Sequence, residues 1–224
     1  MTIYAADGKT VLWSGSESQM ADEMKKAYKA GTNFSGAALP GHNFSGGAFE
    51  SANFSNADLR KTMMAGASMP KANFSGAMLS GTDFSKAVMV NANLANAKMN
   101  DAVLSGANLT GATMTGATLL ESNMAQASLA KCNFVGATMV RASLSKADLT
   151  GADLTTSDAS GADFSGADLT GANFRGANLS RANFTGAKLS KVCFAGANLF
   201  NARFSGADLT GVILSAEQRA QAQF

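Results

Sequence analysis

From Phe34 to Leu214 every fifth residue is Leu, Phe or Met, with Ala159 the one exception. That makes 37 consecutive five-residue units without an insertion or a slip. Two residues before each large one sits a small one, Ala in 27 of the 37 units. Self-similarity at a fixed period marks a repeat architecture, in which each unit buries its apolar face only against its neighbours. Five suits neither the 3.6 of a helix nor the 2 of a strand. It suits a chain that turns a corner every five residues. Four such sides close a square coil of about 20 residues, and coils stack at the strand spacing of ~4.8 Å. The units then make about nine coils, a rod of roughly 44 Å.

In each unit we call the large residue the centre and the small residue two before it the slot; both point inward. The residue before the centre is Asn in 12 units and Asp in eight, and the residue two after it is Gly in 19. These are corner residues: Asn and Asp bond nearby backbone, and Gly takes positive φ at no steric cost. Typical units read Ala52-Asn53-Phe54-Ser55-Asn56, Ala147-Asp148-Leu149-Thr150-Gly151 and Ala207-Asp208-Leu209-Thr210-Gly211. Over residues 32–214 the chain thus resembles the pentapeptide-repeat family, whose unit is A-[DN]-[LF]-x-x. The resemblance implies that family's fold, an all-β solenoid in the form of a right-handed quadrilateral parallel β-helix. The handedness comes from the resemblance alone.

Stacking residues 20 apart sorts the centres onto four sides. The first side carries Phe34, Phe54, Phe74 and their successors, and the third, opposite, carries Phe44, Met64 and Phe84 onward. The second starts at Leu39 and the fourth at Phe49. Eleven of the 12 Phe centres fall on the first and third sides, which supports 20 residues per coil. Ala159 leaves its unit short of side-chain volume, so the coil either pinches there or keeps a void or a buried water beside Ser157.

Residues 1–31 lie outside the repeat and read as an N-terminal cap. Thr2–Tyr4, Asp7-Gly8 and Thr10–Trp13 predict a β-hairpin. Ser16 with Gln19 is a capping-box signature, and Met20, Met24, Ala27 and Tyr28 share one helical face that Gly31 would end. A solenoid needs such covering, because an open coil exposes unpaired backbone. Residues 215–224 read as a short C-terminal helix. That helix is either a cap or part of a homodimer contact through Ile213 and Phe224.

The sequence offers little for catalysis. His42 is the only histidine. It sits in a slot, where a hydrogen bond to the cap is the simpler role; a base would need a nucleophile and an orienting acid nearby. Two separated cysteines and one His cannot build a zinc site. Cys132 takes an inward slot and Cys193 faces out three coils away, ~14 Å along the axis, too far for a disulfide. Unpaired cysteines suit a cytoplasmic protein. The N-terminus lacks a signal-peptide pattern, and no apolar run approaches a membrane span. Asp148, Asp153, Asp158, Asp163 and Asp168 circle one coil and point apart, so they cannot gather around one calcium. The glycines lack the context of a phosphate loop. No enzyme activity, cofactor or metal is expected.

Charge narrows the remaining classes. The first side is nearly uncharged apart from Asp153 and Arg175. The second carries Arg60, Lys61, Lys98, Asp101, Glu121, Arg141 and Arg181. It also places outward Leu120 and Val140 one coil apart, with Phe200 further along, a candidate interaction patch. Glu121 and Arg141 share a corner one coil apart and are expected to pair. Some pentapeptide-repeat proteins, among them quinolone-resistance members, protect type II topoisomerases such as gyrase by imitating DNA, which the resemblance leaves as an alternative. That role implies strongly negative faces. Here the repeats hold 13 Lys and Arg against 11 Asp and Glu, so the sign is wrong. The basic residues are interrupted by Asp101 and Glu121, which disfavours direct nucleic-acid binding. The leading reading is a non-enzymatic scaffold or protein-interaction rod with an unidentified protein partner, no nucleic acid and no membrane.

Overall fold

The computed structural model describes residues 30–224 in full, together with the backbone of 2–4 and 11–14. The latter form strands β1 (Thr2–Tyr4) and β2 (Val11–Ser14), an antiparallel pair in the register Thr2↔Ser14, Ile3↔Trp13, Tyr4↔Val11. The second strand begins one residue later than the sequence predicts. The turn at Asp7-Gly8 and the helix expected from Ser16 lie outside the described residues up to residue 29, and Gly31, expected to end that helix, is in a turn with φ 84.

From Asn33 to Asp208 the residue before each centre bridges its counterpart 20 residues on, always in parallel: Asn33↔Asn53, Asn53↔Asn73 and so to Lys188↔Asp208. Each side is so short that neighbouring coils meet through one bridge per side rather than through extended strands. The result is a four-sided β-helix.

The backbone hydrogen bonds of one unit explain its composition. Phe54 N–H donates to Asn73 O of the next coil (2.7 Å), and Asn53 N–H donates to Thr32 O of the coil below (2.9 Å). At the corner, Asn56 N–H donates to Ser75 O (2.9 Å), and Ala57 N–H closes the turn onto Phe54 O (3.1 Å). The fifth donor, Ser55 N–H, goes to the side-chain Oδ1 of Asn53 at 3.1 Å. All five N–H groups are therefore satisfied, and Asn or Asp before the centre supplies the bond that the ladder cannot. Unlike a Gly-only corner, 17 of the positive-φ corner positions are not Gly; they include Lys71 (φ 58), Glu121 (φ 55) and Arg141 (φ 56). Their side chains point outward, and the two ladder bonds beside the corner hold them in a conformation that L-residues disfavour.

The interior is filled by centres and slots alone. Phe34, Phe54 and Phe74 stack at 4.8 and 5.0 Å, and Phe164, Phe184 and Phe204 at 5.0 Å each. Opposed columns meet edge to face, as Phe74 does with Phe84 at 5.8 Å. Slot hydroxyls donate to backbone carbonyls of nearby centres: Thr62 Oγ1 to Leu59 O at 2.6 Å, Ser122 Oγ to Leu119 O at 2.9 Å and Ser157 Oγ to Leu154 O at 2.8 Å within their own turns, and Thr82 Oγ1 to Leu59 O of the previous coil at 2.7 Å. Ser157 is thus satisfied within its own turn. The ladder also passes through the fully buried Ala159 without a break, its N–H 2.9 Å from Asn178 O.

At the C-terminal end the chain departs from the expected register. Val212-Ile213-Leu214 has the pattern of one more first-side unit, yet none of its ladder bonds to residues 192–196 is made. Helix α1 (Ala216–Gln221) follows at once. Ser215 caps it and shares a capping box with Gln218. The helix replaces a second-side unit, and the chain then rejoins the stack: Gln223 bridges Arg203, and Phe224 stacks on Phe204 at 5.5 Å. Residue 224 lies 20 beyond residue 204, so Ala222-Gln223-Phe224 is a unit in register that the expected C-terminal helix had hidden. Phe224, expected at a dimer contact, stacks at the end of a core column and is 61% exposed.

Candidate interaction surfaces

On the second side the residue after each centre projects from the face and the next sits at the corner. Leu120 and Val140 are consecutive projecting residues, with Leu120 36% exposed and Val140 half-buried. Glu121 and Arg141 are the adjoining corners, and the Arg141 guanidinium donates to the Glu121 carboxylate across the coil step. Leu120 N–H additionally donates to Asn100 Oδ1 at 3.2 Å, which fixes that corner of the face. These four residues form one contiguous patch. Phe200, 50% exposed, stands three coils further along, ~14 Å away, and is not part of it. Sequence reasoning passed over Met63 and Val88, both well exposed, on the third and fourth sides. Their signal was an apolar residue at the position before the centre, where Asn and Asp dominate.

Ionisable groups are tied into the scaffold. Asp153, Asp158 and Asp163 each accept the N–H two residues on, at 3.0 Å, and each receives an amide from the Asn one coil later: Asn173 (3.3 Å), Asn178 (3.1 Å) and Asn183 (2.9 Å). Burial works to raise the Asp168 pKa, but hydrogen bonds from Thr170 and the Lys188 ammonium at 3.2 Å outweigh it, and the carboxyl titrates below its usual range. A bidentate bond from Arg60, at 2.8 and 2.6 Å, lowers Asp58 likewise. Burial pushes the Cys132 thiol up to about 12, so it is no nucleophile; its Sγ lies 3.0 Å from Leu109 O. His42 is half-buried, with Nδ1 3.0 Å from Pro40 O and its ring over Phe44 at 6.1 Å. Among the described residues no three His, Cys, Asp or Glu gather as metal ligands, and no helix is long and apolar enough to cross a membrane.

A second surface lies at the C-terminal end. Because residues 211–215 lift away from residues 192–198, a groove of about 1010 Å³ opens between them, lined by Val192, Phe194, Ile213 and Leu214. Ile213 is 86% exposed. From α1, Gln218 reaches under the strap, and its Nε2 donates to Phe194 O (2.7 Å) and Ala197 O (2.9 Å).

Comparison with known proteins bears on the repeats. The profile described as Pentapeptide repeats matches in eight copies, in segments running from 30–62 to 177–215. Among solved structures, HetL from the cyanobacterium Nostoc sp. strain PCC 7120, a pentapeptide-repeat protein involved in heterocyst differentiation regulation, is 28% identical with a TM-score of 0.57. That match covers 94% of this chain and 95% of HetL. QnrB1, a plasmid-mediated fluoroquinolone resistance protein, is 22% identical over 76% of this chain and 92% of its own, with a TM-score of 0.49. No curated protein sequence matches.

Proposed function

Since this chain belongs to the pentapeptide-repeat family, we propose that it is a non-enzymatic interaction rod, a right-handed solenoid of about nine coils that presents fixed faces to a protein partner. One observation carries the reading: exposed Leu120 and half-buried Val140 adjoin on the outer surface beside the Glu121–Arg141 ion pair, on a face whose backbone cannot move without breaking ladder bonds. An apolar centre rimmed by charge on a rigid support is the composition of a protein contact. Catalysis by contrast needs activated groups, and here the aspartates on successive sides accept their own turn's N–H while the slot hydroxyls return to backbone. HetL, matched along nearly its whole length, takes part in regulation, which agrees with action through contacts. The two unpaired cysteines favour a reducing compartment, hence the cytoplasm.

A photo-crosslinking residue at position 120, with position 55 on the first side as control, tests the reading. The rod hypothesis expects a protein adduct at 120, absent at 55 and abolished by Val140→Asp. Equal labelling at both positions rejects the patch. The gyrase-protection alternative is read separately, in a supercoiling assay with purified gyrase and a quinolone. The near-neutral repeats predict no protection there.

A further inference from the structure

Charge is distributed unevenly around the middle of the rod. Residues 51–147 hold four carboxylates, Asp58, Asp83, Asp101 and Glu121, and all four stand on the second and third sides. Asp58 and Glu121 are paired there with Arg60 and Arg141. Over the same stretch the fourth side has no carboxylate, and the first has none before Asp153. Lysines nevertheless mark both edges of the fourth side: Lys86 and Lys146 where the chain turns into it, Lys71 and Lys131 where it turns out. All four are exposed, and no described carboxylate pairs with them. Glu50 and Asp148 bound the stretch at its two ends.

These lysines project from fixed points. Each occupies a left-handed corner, with φ 58 at Lys71, 57 at Lys86, 59 at Lys131 and 57 at Lys146. Ladder bonds hold the corners: Lys71 N–H donates to Val90 O at 2.8 Å and Lys86 N–H to Ser105 O at 3.0 Å. One coil beyond three of them stand Gly106, Gly151 and Gly166, where a Cβ would lie 3.7, 3.9 and 3.5 Å from the Cγ of Lys86, Lys131 and Lys146. The stems of these three therefore lean along the rod over bare glycine, with the ammonium groups in water. On each edge the two lysines are three coils, ~14 Å, apart.

Between the edges lies an apolar group. Val88 is 40% exposed, and half-buried Val90 stands one coil above half-buried Pro70. Around Leu120 the adjoining charges neutralise each other, whereas here ammonium groups alone frame the apolar side chains. An apolar centre framed by one sign of charge selects a partner of the opposite sign.

We propose that the fourth side over residues 66–146 docks an acidic segment of a partner protein, its carboxylates against Lys71, Lys86, Lys131 and Lys146 and an apolar side chain on Pro70, Val88 and Val90. A nucleic acid fits less well, because the face carries neither Arg nor an outward aromatic residue to reach or stack on bases. The site shares no residue with the Leu120 face, and its test stands whether or not that face binds.

The probe is a fluorescein-labelled peptide of four Glu-Glu-Leu repeats, followed by anisotropy with the full-length protein at low salt. Binding should saturate, and should be lost with the same peptide carrying Gln for Glu. Lys71→Gln and Lys86→Gln should each weaken it about two- to five-fold, the range of one exposed ion pair. Val88→Asp, which removes the apolar contact and sets a carboxylate between the lysines, should weaken it about ten-fold. Lys61→Gln and Lys98→Gln on the second side should leave it unchanged, as should Val140→Asp, which separates this site from the Leu120 face. No binding at millimolar peptide overturns the proposal, as does an equal loss from the second-side lysines. Duplex DNA that competes for the same lysines and ignores Val88→Asp assigns the face to nucleic acid and overturns it. A dimer by light scattering that Lys71→Gln and Lys86→Gln dissolve assigns the face to a second copy and overturns it too.

Discussion

Two first-side units, one coil apart from a common neighbour, differ in whether they close. Ala172-Asn173-Phe174-Arg175-Gly176 bonds to coils above and below, and its corner, Gly176, has φ 65. Val212-Ile213-Leu214-Ser215-Ala216 has the same pattern of small and large residues and makes none of those bonds. The contrast lies after the centre. Asn173 bonds the N–H of Arg175 at 3.1 Å, and Ile213 offers no such acceptor, although Met63 and Val103 show that a unit with an apolar residue there still closes when its ladder bonds are made. Ser215 caps a helix instead, and Ala216, where the left-handed corner should fall, becomes its first residue. Without ladder bonds to the coil below, the local capping signal prevails. The apolar period places a unit, but the corner chemistry and a neighbour on each side close it.

The largest test of this contrast compares the two centres. Phe174 is fully buried and stacks on Phe194 at 5.5 Å, so Phe174→Ala should cost about 3–5 kcal/mol in urea unfolding. Leu214→Ala, in a unit without ladder bonds, should cost under about 2 kcal/mol. Equal losses would mean that the last unit is as integral as the others.

Ala159 offers an intermediate case: a unit with every ladder bond but a small centre. Ala159→Leu should raise stability by about 1–2 kcal/mol, measured as a higher melting temperature with an unchanged circular dichroism spectrum. A lower melting temperature would show that the coil has already closed around the alanine and that side-chain volume does not limit a laddered unit.

Corner conformation gives a smaller effect with opposite signs in the two regions. Lys71 occupies a left-handed corner at φ 58, so Lys71→Gly should stabilise by about 1 kcal/mol. At the matching position of the last unit, Ala216 is helical, and Ala216→Gly should destabilise by about 0.5–1 kcal/mol. Denaturant midpoints moving the same way for both would refute the assignment of the helix to that corner.

The smallest effect is the Glu121–Arg141 pair. Both side chains are more than half exposed, so a double-mutant cycle should give a coupling under about 1 kcal/mol. A coupling above about 2 kcal/mol would show that closed coils draw on surface ion pairs as well as on ladder and core.

The repeat body was legible because every level of its sequence agrees. Period five, small slots, large centres and Asn or Asp before the centre each specify the same square turn, and the Phe columns specified the 20-residue stack. Glu121 and Arg141 could be paired on paper for the same reason: once the coil length is known, corner neighbours are a matter of counting. The site residues were less legible. Leu120 and Val140 could be placed side by side, but Phe200 could not be separated from them without weighing three coils of axial distance, and Met63 and Val88 each stand between polar stacked neighbours, so no apolar pair marks them. The C-terminal end was decided by tertiary structure. Val212-Ile213-Leu214 reads as a unit, and Ala222-Gln223-Phe224 reads as the tail of a helix, yet the first lifts away and the second rejoins the stack. Counting fixes where a residue would sit if the ladder continued. Whether it continues depends on the hydrogen bonds actually made to the neighbouring coil, which the period does not specify.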